Sequence, residues 1–460
     1  MKKLTCVIFI MCLSWASANS KIDSYLADHF SEPENEIAKV LIMIDDSEVL
    51  DYYTNEINEY YFDYKTMVSM LKYIEEETQK DIRNDLNTKH YNGDTLVAPV
   101  KTLWNCNSIV AYVNKKGLAW LTSRSDVQKI LLDRDMQIEP GFPSLSPFEE
   151  DDKPPVGYTY GLKKIGIDKL NEEMPWLTGE GVLVGVIDSG VDGTHPELEG
   201  KIYKFKNMNS SDPNASDDNP VDYHGHGTHV SGTILGGNLS GAQIGVAPGA
   251  MLVASAALSG WSPYSNILEA MQWIMDPDGD PETADFPRVV NCSWHSGNAP
   301  SQEPFYKAIA AWEAANIVPN FSAGNAGENG LTNPKEFPST FTVAATDMND
   351  LIAPFSSHGP AIYLGDEFMK PEVSAPGVDI FSSLPEGKYE KWSGTSMAAP
   401  HVAGTMALLF QIDPELTVDG VKELLISTSV DLGDEGWDYR YGFGRIDAFA
   451  AAAELISRLY

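Results

Sequence analysis

The chain has 460 residues, 66 acidic against 32 lysine or arginine, for a formal net charge of −34 at neutral pH. A polyanion of this size is repelled by nucleic acid and by anionic membrane surfaces, which argues against both as partners and favours solubility. Its length is enough to bury a large core without covalent staples.

Met1 to Ala18 carries Lys2 and Lys3, an apolar stretch from Cys6 to Trp15 and the small-residue end Ala16-Ser17-Ala18, the pattern of a secretory signal peptide. Bulky Ile10 and Met11 ahead of Cys12 do not suit a lipoprotein signal. The apolar stretch is too short for a stable membrane span, and no later stretch approaches that length. Once the signal is removed, Cys106 and Cys292 are the only cysteines left. They fall in different predicted segments and read as unpaired thiols, Cys292 beside a buried strand.

Residues 19–140 differ in character from the remainder of the chain. The pattern predicts a strand over Ala38 to Asp45, then an amphipathic helix over Tyr60 to Asp85 with Met67, Met70, Leu71 and Ile74 on one face. A second strand comes at Ser108 to Val113, a short helix at Gly117 to Ser125 and a final strand at Val127 to Asp133. This is a small α+β unit of ferredoxin-like cast. Residues 141–157 are rich in proline, glycine and acid, and read as an extended, accessible linker. From 158 to 460 strand and helix patterns alternate, as in an α/β domain, with no repeat or appended module.

Within that last region four short segments carry the chemistry. The apolar run Val182 to Ile187 reads as a buried parallel strand and ends in Asp188-Ser189-Gly190, which puts a carboxylate where α/β sheets build sites. Asp222-Tyr223-His224-Gly225-His226-Gly227-Thr228-His229 sets His226 between glycines ahead of an apolar helical pattern. Phe321-Ser322-Ala323-Gly324-Asn325-Ala326-Gly327 comes next, and then Gly394-Thr395-Ser396-Met397-Ala398-Ala399-Pro400-His401, a serine at the start of an apolar helix. Singly, each has an ordinary reading: a strand-to-turn connection, a structural histidine, an asparagine in a left-handed turn, a helix cap. Together they supply what a serine nucleophile needs, a base to take its proton and a carboxylate to orient that base.

These segments resemble the Asp, His, Asn and Ser boxes of the subtilisin-like serine proteases, in the Asp-His-Ser order known in subtilisin. Between the boxes, Gln243 to Ala250, Asn266 to Met275 and Val289 to Trp294 resemble the bacillopeptidase F-like branch, and the likeness runs from about Gly157 to Ala452. The resemblance implies a three-layer α/β/α fold with a mostly parallel central sheet. It implies Asp188, His226 and Ser396 as the triad, Asn325 as the oxyanion-hole side chain, and Ser293, Trp294, His295, Ala323 and Gly324 along the substrate groove. His295 stands where that family usually has glycine. It further implies that residues 19–140 are a propeptide that assists folding and then inhibits the enzyme, released by cleavage between Asp135 and Gly157. The remainder would be a secreted, monomeric endopeptidase of about 300 residues acting on polypeptides.

The implied reaction requires no cofactor. Structural calcium is an expectation from the acidic loops Glu149 to Asp152, Asp217-Asp218 and above all Asp276 to Asp280. Two rival readings stand against the protease. His224, His226 and His229 form a His-x-His-x-x-His cluster that could hold zinc, but Thr228 stands where the metallo-β-lactamase motif has aspartate, and the Asn325 and Ser396 boxes go unexplained. The other is an inactive scaffold of the same fold, against which all the catalytic residue types are present.

Overall fold

A computed structural model describes residues 21–47, 63–89, 96–137, 142–143, 155–209, 212–258, 261–297, 301–331 and 333–459. The signal-peptide reading, most of the linker and the acidic cluster Glu149 to Asp152 lie outside the described residues. The chain divides into two compact units. One joins Met1–Met136 to Ser262–Ala284 and Asn298–Ala315; the other comprises Gln137–Trp261, Asp285–Gly297 and Asn316–Tyr460.

The first unit opens with helix α1 (Ser24–Ser31), capped by Asp23. It continues through β1 (Ile37–Ile44), α2 (Tyr64–Lys89), β2 (Val97–Leu103), β3 (Ser108–Asn114), α3 (Lys115–Thr122) and β4 (Val127–Leu132). The sheet runs β2-β3-β1-β4 and is antiparallel throughout, which interleaves two split βαβ units. Val40, Ile42, Ile109, Ala111 and Ile130 of the strands close on Ile82 and Leu86 of α2 and Leu118 and Leu121 of α3. Helix α2 starts at Tyr64 and buries Met67, Leu71 and Ile74, with Met70 half-buried. Strand β2 escapes the sequence pattern because Pro99 interrupts the run Val97-Ala98-Pro99-Val100-Lys101. It is tolerated as an edge strand, where a missing N–H costs least, and the register shifts between Pro99 and Lys101.

The same unit contains two later helices, Tyr264–Trp273 and Glu303–Ala314. Asp133 caps the first of them, accepting from Ser265 N at 2.8 Å and Ser265 Oγ at 2.7 Å while pairing with Lys39 at 2.8 Å. Asn105 Nδ2 donates to the Leu268 carbonyl at 3.0 Å, and Lys101 pairs with Glu269. On the second helix, Glu303 accepts from Gln128 at 2.9 Å and Lys307 pairs with Asp46 at 3.0 Å.

The second unit is built on seven strands: β5 (Leu183–Asp188), β6 (Ile202–Asn207), β7 (Met251–Ala256), β8 (Val289–Cys292), β9 (Val318–Ser322), β10 (Phe341–Thr346) and β11 (Val373–Pro376). They lie in the order β11-β10-β9-β8-β5-β7-β6, parallel at every pairing. Helix α4 (His226–Leu235) lies between β6 and β7 in the chain, and the crossovers from β7 to β8 and from β8 to β9 run through the helices Tyr264–Trp273 and Glu303–Ala314. The strand order reverses at β5 and β8, the switch point at whose carboxyl ends α/β sheets place ligands. A hairpin of β12 (Ile380–Leu384) and β13 (Lys388–Ser393) leads into the next helix, Thr395–Ile412, here α7 in chain order after the two crossover helices α5 (Tyr264–Trp273) and α6 (Glu303–Ala314). Every residue of α7 from Thr395 to Phe410 is buried. It packs on β8, β9, β10 and β11 and against α4, as a helix apolar all round must. The sheet is the parallel α/β core expected from the sequence, flanked by helices.

Cys106 and Cys292 are both buried and free. Burial pushes the Cys106 thiol up to about 12 and Cys292 well above its ordinary value, so both stay protonated and inert.

Candidate active site

Asp188 is the last residue of β5 and has no solvent exposure. Its Oδ1 accepts from the Ser189 N–H at 2.7 Å and from His226 Nδ1 at 2.8 Å. With Nδ1 donating to the carboxylate, the imidazole is fixed in the tautomer whose Nε2 lone pair is free to take a proton. Nε2 makes no hydrogen bond among the described residues.

His226 opens helix α4, and two glycines let it sit there. Gly225, the N-cap, has φ of +95°, a conformation that favours glycine. A Cβ on Gly227 would stand 2.0 Å from the Gly190 carbonyl oxygen, so only glycine lets the helix approach the loop that leaves Asp188. A glycine cap has no side chain to satisfy the first turn, and Asp222 does so instead. Its Oδ1 accepts from Gly225 N at 2.8 Å and His224 N at 3.0 Å, and its Oδ2 from Thr228 N at 2.8 Å and Thr228 Oγ1 at 2.6 Å. Ser189 Oγ bridges toward the same Asp222 at 2.7 Å and accepts Gly227 N at 3.0 Å. Sequence reasoning misses both Asp222 and Ser189 as functional residues. The signal for Asp222 is an acid four residues before His226, at the spacing of a displaced helix cap.

Burial works to lower the His226 pKa, but the charge and hydrogen bond of Asp188, with the Asp222 carboxylate behind, outweigh it and raise the pKa above the ordinary imidazole value. Trp392 of β13 supplies a wall, 6.1 Å from the His226 ring and stacked on His229 at 5.2 Å.

Ser396 is the second residue of α7 and only 2% exposed. Its Oγ is directed at the Ser293 carbonyl, 3.4 Å away. Asn325, half-buried after β9, accepts with Oδ1 from Thr395 N and Thr395 Oγ1, each at 3.0 Å. Committing that oxygen to the helix start leaves the amide Nδ2 as the donor end. Thr395 Oγ1 in turn accepts Gly324 N at 3.0 Å, so the Asn and Ser boxes are hydrogen-bonded to each other.

The groove residues divide. Trp294 is buried, edge-on to Phe321 at 5.3 Å, so it can offer a substrate only its main chain. The Ser293 hydroxyl points to α7, donating to the Ser396 carbonyl at 3.2 Å. The Ala323 N–H goes to the Val343 carbonyl at 2.9 Å. His295 is half-exposed and accepts Gly297 N at 3.2 Å.

The zinc reading fails on geometry. His226 Nδ1 is spent on Asp188, His229 Nε2 lies against the Ile380 and Glu390 carbonyls at 3.0 and 3.2 Å, and His224 is edge-on to Trp392. Among the described residues no histidine stands in a group of three ligands able to hold a metal ion. His195 and His401 bond to the Lys388 and Met397 carbonyls at 3.0 and 2.9 Å.

Residues 179–444 match the model of the subtilase family. The chain belongs to the subtilase family. It is 35% identical over 422 residues to bacillopeptidase F of Bacillus subtilis, covering 85% of this chain but 29% of that protein. It is 35% identical over 301 residues to subtilisin E of the same organism, covering 64% of this chain and 71% of that protein. The serine protease AprX, again from Bacillus subtilis, is 35% identical over 304 residues. This subtilase thus spans less than a third of bacillopeptidase F and most of subtilisin E.

The site carries two titration predictions. In Asp188→Asn the charge that holds the proton on His226 is gone and burial prevails. The imidazole pKa, measured by NMR, should fall from above the ordinary value to below it; an unmoved titration would refute the coupling. His229, buried and beside His226, is held down to about 3. The unfolded chain takes up that proton below about pH 6.5, so the native state loses stability as pH falls from about 6.5 toward about 3. His229→Gln, which keeps a neutral donor, should flatten the fall in denaturation midpoint over that window, and an unchanged slope would reject it.

Proposed function

We propose that this subtilase is a secreted serine endopeptidase made as a self-processing zymogen, with Asp188, His226 and Ser396 as its triad. The observation that carries the reading is the buried Asp188–His226 pair at 2.8 Å, with His226 Nε2 left without a partner among the described residues.

His226 takes the Ser396 proton as Oγ attacks a peptide carbonyl, and Asp188 stabilises the imidazolium that forms. The Asn325 Nδ2 donor and the Ser396 N–H, at the positive end of α7, receive the oxyanion. His226 then protonates the leaving amine, and water, deprotonated by the same imidazole, releases the acyl group. The substrate lies extended along the main chain of Ser293 to His295 and Ala323-Gly324.

Residues 19–140 act on this reading as an intramolecular inhibitor and folding aid. The support is the packing of their described residues, within one unit, on α5 through Asp133, Asn105 and Lys101 and on α6 through Gln128 and Asp46. Met1 to Ala18 directs export, and cleavage between Asp135 and Gly157 frees a monomeric enzyme. A structural calcium ion at the Asp276 to Asp280 turn belongs to the same proposal. Asp276 Oδ1, buried and without a hydrogen-bond partner among the described residues, is an oxygen that fits such an ion, while Oδ2 of that carboxylate pairs with Lys72.

Expressed at full length, Ser396→Ala should accumulate unprocessed and fail to cleave a peptide substrate or react with a fluorophosphonate. Retained hydrolysis would sink the triad, whereas normal processing without hydrolysis would assign maturation to another protease. Asn325→Ala should lower kcat by roughly two to three powers of ten, the magnitude established for subtilisin, with KM little changed. An equal loss through KM alone would place Asn325 outside the oxyanion hole.

A further inference from the structure

Four residues after the nucleophile, helix α7 contains Pro400. A proline has no N–H, so the helical donor that the Ser396 carbonyl would receive from position 400 does not exist. That carbonyl is buried, and a buried carbonyl without a donor is costly. The donor comes from outside the helix: Ser293 Oγ, just past β8, reaches the Ser396 carbonyl at 3.2 Å.

The Ser293 hydroxyl is itself oriented. Asn291 Nδ2 donates to Ser293 Oγ at 3.1 Å, and Asn320 Nδ2 donates to Asn291 Oδ1 at 2.9 Å. The second Asn320 amide hydrogen goes to the Ala399 carbonyl at 3.0 Å, the residue before the proline. Because Ser293 Oγ receives the Asn291 amide, its own hydrogen is left for Ser396, and the chain runs one way from Asn320 to the nucleophile's carbonyl. Asn291 and Asn320 are register partners on β8 and β9 and have no solvent exposure. Two polar residues side by side there break the apolar pattern of buried parallel strands.

We propose that Asn320, Asn291 and Ser293 form a positioning relay that replaces the hydrogen bond deleted by Pro400 and so fixes the backbone of Ser396 for attack. They are positioning residues: they act on the reaction through the Ser396 backbone. The inference rests on Ser396 being the nucleophile. It assigns the Ser293 side chain to the enzyme's own helix and leaves only its main chain to the substrate groove.

The test is a double-mutant cycle in the full-length chain, read as kcat and KM on a peptide anilide. Ser293→Ala should lower kcat on the order of tenfold, the worth of one buried hydrogen bond, with KM unmoved because the hydroxyl does not face substrate. Ser293→Thr, which keeps a hydroxyl, should recover most of the loss. Pro400→Ala returns an N–H to the helix, so adding it to Ser293→Ala should cost less than the product of the two single effects. Multiplicative effects, a loss carried by KM, or a Ser293→Thr variant as slow as Ser293→Ala would each overturn the relay. Fluorophosphonate labelling separates the two readings: a parent enzyme that does not label refutes Ser396 as nucleophile, while a labelling enzyme with no coupling refutes only the relay.

Discussion

Helix α7 has no solvent-facing side, and its amino end carries Ser396. A helix buried on every face must be covered all round, and its first-turn N–H groups, which have no partner within the helix, must be met by something other than bulk water. Asn325 meets one of them at Thr395. On the proposed reading, the Ser396 N–H of that turn lies where negative charge develops during acyl transfer. Burying the helix therefore does two things at once. It stabilises the parallel sheet through β8 to β11, and it leaves a dry, positively polarised helix end beside the serine, where each hydrogen bond counts for more than in water.

The histidine half of the site solves the same problem with a charged acceptor. Helix α4 begins at His226 with a glycine cap, and Asp222 supplies the missing acceptors. Its negative charge at a helix amino end is favourable in itself, and it also lies behind an imidazole already paired with Asp188. The stability of α4 and the basicity of His226 thus share one carboxylate, whose Oδ1 accepts the Ser189 hydroxyl at 2.7 Å. The chain's large acidic excess contributes little to this, because exposed charges farther off are screened by salt while Asp188 and His226 are buried within hydrogen-bond distance.

Local patterns make much of this legible. The apolar run ending at Asp188 is a strand, and the glycine-flanked histidine and serine each open a helix, because period and punctuation are properties of a few adjacent residues. The features that escape depend on partners distant in sequence. Strand β2 hides behind Pro99 and exists because β3 offers an edge. Trp392 carries no local signal of its place, and only folding stacks it on His229. Asn291 and Asn320 look like defects in two apolar strands until the register sets them side by side beneath Pro400. The proline itself is in plain view, but the carbonyl it strips of a donor can be matched to Ser293 only once β8 is placed under α7.

If residues 19–140 are a propeptide leader, as proposed, their contacts bear on how such a sheet comes to fold. Parallel neighbours cannot be joined by a tight turn, so β8 reaches its place beside β5 through the crossover α5 and β9 its place beside β8 through α6, and the entropy of closing those loops is lost before the pairings repay it. Described residues ahead of Gln137 contact α5 and α6 within the first unit, through a cap at Ser265 and ion pairs at Glu269 and Lys307. As a proposed folding aid, the small antiparallel domain holds both crossovers before the parallel strands meet. On the proposed reading, the surface by which the leader assists folding is also the one that retains it as an inhibitor. Its release then takes more than one cut: as long as those contacts survive cleavage, severing the linker lowers the leader's effective concentration without breaking a single bond to α5 or α6. Destruction of the freed leader, rather than the first cut, would then set when the enzyme begins to act on other chains.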